Sequence, residues 1–466
     1  MPARALGARA TGRGRWAPSA SCLLAALALG AAGCRNGLAA EGARSPKAEQ
    51  WFQRASHEYR DARIDAANDS VHQALELAPK DEEVKILAAR VALARLEYPE
   101  VLRLLRGVPT PGAAGLRGRA NWYKGDLPAA ADDLEALLAD PEVVDPWAKS
   151  VSKLARQGVG RRPFAVEGFL AAVEMPRTEP GAPRYIVPLK IDGDEALALV
   201  STGTAEVVLD SATRNEPSWV SLTFDGMDPD RPFEVRDVPA MTQDLTAISH
   251  QINAPIKALL GANLLRRLNA TLDLSGRQFV VRSFVPPPPP VASKIELFYL
   301  RGGGMVLGSS FGADDAQAAA FFVDSAMIHP VALDAGGWKK AGVELGSLTL
   351  LPQDASQKLR GGAVPSLRFG AFDMPHVRAI FGLPLEKIEK ELEIDVDGSF
   401  GAGLLADYRL TFADGGRLLW AEQQRGGEAP KPPAAPLAPV APTPVAPVAP
   451  TPGTGPVNLL DPPKQP

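Results

Sequence analysis

Tyr185-Ile186-Val187-Pro188-Leu189-Lys190-Ile191, then Asp192-Gly193-Asp194, then Ala196-Leu197-Ala198-Leu199-Val200, reads as two apolar strands joined by a tight turn. The second strand runs without a break into Ser201-Thr202-Gly203-Thr204-Ala205-Glu206 and the short apolar run Val207-Val208-Leu209. Some fifty residues later come Leu259-Leu260-Gly261-Ala262-Asn263-Leu264-Leu265, Ala270-Thr271-Leu272-Asp273-Leu274 and Gln278-Phe279-Val280-Val281. This order sets a hairpin and its following segment ahead of an apolar run broken by a glycine and two further apolar runs.

The pattern then repeats. After Pro286 to Pro290, a run that cannot pair in a sheet and marks a stiff linker, Phe321-Phe322-Val323-Asp324-Ser325-Ala326 stands where Ser201-Thr202-Gly203 stood. Gly398-Ser399-Phe400-Gly401-Ala402-Gly403-Leu404-Leu405 takes the place of the glycine-broken run, and Tyr408-Arg409-Leu410-Thr411-Phe412 with Arg417-Leu418-Leu419-Trp420 that of the two further runs. Residues 184–283 resemble one lobe of a retropepsin-like aspartic protease, in which an apolar strand delivers Asp-Thr/Ser-Gly at a tight loop. The segment 235–239 is similar to the strand before the central loop of such lobes. Residues 293–423 resemble a second, degenerate lobe, with 284–292 as the linker. Two tandem lobes imply a pepsin-like bilobal arrangement that requires no dimer.

The same resemblance makes Ser201 and Asp324 the two positions of the catalytic pair, with Thr202 and Ser325 bracing their loops through hydroxyl-to-backbone hydrogen bonds. An aspartic protease needs two carboxylates sharing one proton, one to take a proton from water and one to donate to the carbonyl. Here Ser201 stands in for one of them, and its hydroxyl is not ionised near neutral pH. Ala326 replaces the second glycine, and its Cβ is expected to obstruct close approach of the loops. Asp192, Asp194 and Asp210 sit too far along the chain to replace the missing acid. A serine mechanism has only His250 and His329 as conceivable bases. Three readings stay open: a non-catalytic peptide- or protein-binding scaffold, an aspartic endopeptidase with an altered Asp324–Ser201 pair, and a structural envelope spacer.

Upstream the texture is helical. Trp51, Ala55, Ala67, Val71, Ala74 and Pro79 trace a helical hairpin; Ala88, Ala89, Ala92, Val101 and Leu105 trace a second, and Gly118, Gly125-Asp126, Ala130, Leu134 and Leu137 a third. These resemble tetratricopeptide repeats over residues 49–158, with Trp147 to Leu154 as a closing helix and Glu58, not an aromatic, in the middle of the first helix. The predicted fold class is therefore multidomain: an all-α helical repeat followed by a mainly-β bilobal domain.

The 466 residues carry 50 Lys and Arg against 54 Asp and Glu, for a net charge of −4, which argues against general nucleic-acid binding. Both cysteines, Cys22 and Cys34, lie near the N-terminus, so no disulfide, thiolate metal site or cysteine nucleophile is expected downstream. The five histidines, His57, His72, His250, His329 and His376, show no metal-binding spacing, and Gly302-Gly303-Gly304 lacks a phosphate-loop continuation; no metal or cofactor is expected. Arg4, Arg9, Arg13 and Arg15 precede a short apolar run that ends Ala31-Ala32-Gly33-Cys34, which resembles the signal of bacterial lipoproteins. That implies cleavage after residue 33, diacylglycerol on Cys34, a spacer over 34–48, and a lipid-anchored place in the cell envelope, on the outer membrane facing the periplasm. Residues 426–466, rich in Ala-Pro and Val-Ala-Pro units, are expected to form a disordered tail.

Overall fold

The computed structural model describes residues 44–179, 181–226, 231–312, 317–352 and 358–424. The segment 1–33 expected to be a signal, Cys34 and the tail 426–466 lie outside the described residues. The described residues form one compact unit, with a helical N-terminal region and a mainly-β C-terminal region.

Helices Pro46–Arg60, Ile64–Leu77, Glu82–Ala94, Tyr98–Leu104, Pro111–Lys124, Leu127–Leu138 and Pro146–Gln157 follow one another, each packed on the next. Their starts are written locally. Ser45, Asp81 and Asp145 accept from the backbone amides of Ala48, Val84 and Ala148 at 3.2, 3.1 and 2.9 Å, and Pro stands in the first turn of five of the seven. Small residues set the spacing: a Cβ at Gly118 would meet Leu134 Cδ2 at 2.7 Å, so the helices touch backbone to side chain there. Glu58 is buried between the first two helices, accepting from Ser70 Oγ at 2.6 Å and Arg54 Nε at 2.9 Å.

The β region is a duplication. A seven-stranded sheet orders Ala165–Glu167, Phe233–Gln243, Val207–Asp210, Ile256–Gly261, Asp194–Ser201, Ile186–Ile191 and Ser218–Phe224, and the last strand pairs back onto Phe233–Gln243. An eight-stranded sheet orders Phe298–Leu300, Gly304–Ser310, Ala318–Asp324, Gly398–Gly401, Val331–Leu333, Phe372–Phe381, Arg360–Phe369 and Thr349–Leu350. The correspondence holds at the level of strand direction. Asp194–Ser201 runs parallel to Ile256–Gly261, which is antiparallel to Val207–Asp210. Ala318–Asp324 runs parallel to Gly398–Gly401, which is antiparallel to Val331–Leu333. One apolar core runs through both lobes, with Phe224 against Phe233 and Phe279 in the first and Phe321 and Phe400 stacked at 4.1 Å in the second.

A third sheet ties the lobes together in the order Ser293–Glu296, Leu418–Gln423, Tyr408–Ala413, Thr271–Asp273, Gln278–Arg282 and Leu170–Glu174. Its centre is an approximate two-fold axis where Thr271 faces Thr411, their hydroxyls 2.8 Å apart. Lobe one thus also takes in strands N-terminal to residue 184. Their sequence, Leu170-Ala171-Ala172-Val173-Glu174, is too short and too uniformly small to show strand periodicity before its partner is known.

Candidate functional site

The two loops at the ends of the parallel strands meet at the seam between lobes. In register, Ser201 lies opposite Gly261 and Asp324 opposite Gly401. Both glycines are needed for close approach: a Cβ at Gly261 would meet Glu206 O at 2.2 Å, and one at Gly401 would meet His329 O at 2.3 Å.

Thr202 and Ser325 bind each other's loops reciprocally. Thr202 Oγ1 donates to Val323 O at 2.8 Å and accepts from Ser325 N at 2.9 Å. Ser325 Oγ donates to Val200 O at 2.8 Å and accepts from Thr202 N at 3.0 Å. Both side chains are buried, at 2% and 0% exposure, so all four bonds form away from water, where breaking one leaves an unsatisfied group. Asp324 sits across from Gly203, where a Cβ would lie 3.0 Å from its Cγ. Its Oδ1 accepts from Ala326 N at 2.9 Å. Burial nevertheless raises its pKa above the ordinary carboxylate value, against the lowering effect of the backbone donors of Ala326 and Met327. Ser201 is buried at 4% exposure one residue before the grip, and its carbonyl accepts from Thr204 Oγ1 at 2.9 Å.

The loops pair despite Ala326. The expected obstruction does not arise, because the Ala326 side chain packs toward the apolar cluster of Ile186, Leu199 and Val208 while Gly203 is the residue facing Asp324.

The other acids considered lie elsewhere. Asp192 forms the turn before Asp194–Ser201, where it pairs with Arg214 and accepts from Ser221 N at 2.8 Å. Seven residue steps of extended chain place that turn about 23 Å from Ser201. Asp210 is buried, within 3.4 Å of Leu245 N and Lys257 Nζ. His250 lies on helix Thr246–Ile252, which contributes no residue to either loop, whereas His329 follows Asp324 in the same loop. Burial lowers the pKa of His329, and the charge of Arg184 adds to the shift.

Glu206 was not singled out by sequence, yet it joins the helical region to this site. It is buried, and Trp122 Nε1 donates to its Oε1 at 3.2 Å. Burial raises its pKa; the Trp122 bond and the nearby Arg266 and Arg267 charges oppose the rise. The one visible signal is an acid pressed directly against Val207-Val208-Leu209. A groove of about 640 Å³ between the helices and lobe two, lined by Arg119, Tyr123, Trp147 and Arg301, reaches Ala205 in the same loop.

No family model matches this chain, and no curated protein matches it. Among solved structures, it is similar to a retropepsin-like aspartic protease from Rickettsia conorii, with 17% identity over 28% of this chain and 90% of that one, and a TM-score of 0.21. It is also similar to edgp, at 8% identity over 55% of this chain and 95% of that one (TM-score 0.38), and to Basic 7S globulin from soybean, at 8% over 56% and 96% (TM-score 0.37).

Proposed function

We propose that this chain is a lipid-anchored envelope protein whose bilobal domain binds extended peptide or protein segments without hydrolysing them. The observation that supports this is a centre with its frame complete and its chemistry incomplete: four reciprocal hydrogen bonds hold the loops together, yet the position equivalent to Asp324 at the end of the other parallel strand is Ser201, not a second carboxylate. Ser201 can donate or accept a hydrogen bond but cannot take the proton of an attacking water, so the two-carboxylate exchange is broken at its base. An extended segment between the lobes would gain backbone hydrogen bonds from strand edges. The helical region, read as tetratricopeptide-like, would bring clients to that cleft, and Cys34 would hold both at the membrane. No helix among the described residues is long and apolar enough to cross a membrane.

The second reading, an aspartic endopeptidase using Asp324 with Ser201, is favoured by the place of Asp324 against the partner loop at Gly203, where burial raises its pKa and makes the ionised carboxylate a stronger base toward water. Incubating a broad peptide library from pH 3 to 8 with the native chain, Asp324→Ala and Ser201→Asp separates the readings. Binding without cleavage by the native chain, with cleavage gained in Ser201→Asp, is the expected result. Cleavage by the native chain that disappears in Asp324→Ala would establish the second reading instead. No saturable binding to any peptide would leave the domain a spacer.

A further inference from the structure

Arg184 is 7% exposed, and among the described residues no carboxylate pairs with it. Its one hydrogen bond runs from Nη1 to Ala326 O at 3.3 Å. Other buried arginines are better served. Arg119 pairs with Asp145 at 2.9 Å, and Arg282 donates to Asn269 O and Thr271 Oγ1 at 3.0 and 2.8 Å.

Its position is at the centre of the site. Arg184 lies two residues before strand Ile186–Ile191; the carbonyl of its neighbour Tyr185 accepts from Val200 N at 2.9 Å, beside the strand end that delivers Ser201. From lobe one its guanidinium crosses to the loop of Asp324 in lobe two. His329, on that loop, is held toward the neutral form by burial first, with the Arg184 charge adding to the shift. A buried, unneutralised guanidinium is costly, and the cost is recovered when a carboxylate takes the planar fork with two parallel bonds.

We propose that Arg184 is the ligand-recognition residue of the cleft and receives a carboxylate of the bound peptide beside the Asp324 loop. This rests on the peptide-binding reading and adds the chemical class of the ligand: a peptide with an acidic side chain or a free C-terminus.

The test uses the intact chain and four libraries of apolar octapeptides, with Glu or Gln fixed at a central position and a free or amidated C-terminus, read by fluorescence anisotropy. At least tenfold tighter binding of a carboxylate-bearing library is expected, and the arm that gains shows whether the side chain or the terminus is read. Arg184→Gln should erase the difference and Arg184→Lys should keep part of it. In the native chain, His329 followed by NMR should titrate at higher pH once the peptide is bound, since the ligand neutralises Arg184; this readout stands even where a variant fails to fold. Equal binding of all four libraries, or discrimination that survives Arg184→Gln, overturns the assignment and leaves peptide binding intact. No binding of any library overturns both.

Discussion

At the residue scale, two hydroxyls hold the seam. Thr202 and Ser325 each give one bond and accept another across the lobes, so replacing either leaves a backbone donor and a carbonyl stranded in the interior. Thr202→Val keeps the shape and removes the hydroxyl; it should cost about 2–3 kcal/mol, measured by urea unfolding, whereas a loss below about 0.5 kcal/mol would mean water replaces the lost partners. Glu206 offers a titration test. An acid whose pKa is higher folded than unfolded contributes stability that is complete below the unfolded value and is lost as pH rises through the folded one. The raised pKa of Glu206 therefore makes native stability decline with rising pH above the ordinary glutamate range. Glu206→Gln, which keeps an acceptor for Trp122, should flatten that decline in Tm between pH 5 and 8; an unchanged slope would mean another group sets it.

At the element scale, the helices show what sequence states and what it cannot. Their starts are legible because a cap is a contact three residues long: Ser45, Asp81 and Asp145 each precede a helix and bind its first free amides. Gly118 is legible only as a small residue; that it faces Leu134 is a matter of packing. Gly118→Ala should destabilise by about 1–3 kcal/mol through overpacking, visible as a lowered Tm with the far-ultraviolet spectrum unchanged; an equal or higher Tm would show that Leu134 moves aside at no cost. The strand Leu170–Glu174 is the counterexample, since its five residues become a strand only through pairing with Gln278–Arg282, about a hundred residues away.

At the scale of the whole molecule, the helical and β regions share one apolar cluster. Leu300, Val306, Ala320, Phe322, Ile394 and Val396 of lobe two pack with the helix core, and Trp219 of lobe one donates to Leu154 O at 3.0 Å. Far-ultraviolet circular dichroism, reporting the helices, and tryptophan fluorescence should therefore report one coincident unfolding transition for the chain. Two separated transitions would mean that the shared cluster does not couple the regions.

The sequence by itself determined the duplication, because each lobe writes the same order of apolar strand, tight loop, glycine and closing hairpin. It also determined that one of the two paired loops carries Ser201 where the other carries Asp324, since residue identity needs no coordinates. The resemblance already made Thr202 and Ser325 the bracing hydroxyls; only the tertiary structure decided that each reaches across to the other lobe's loop, that Ala326 packs its methyl group against Ile186, Leu199 and Val208 of lobe one, and that Arg184 and Glu206 come to the site. Those facts depend on which distant segments become adjacent, and adjacency is fixed by the six-stranded sheet and the shared core, whose pairings link residues more than a hundred positions apart.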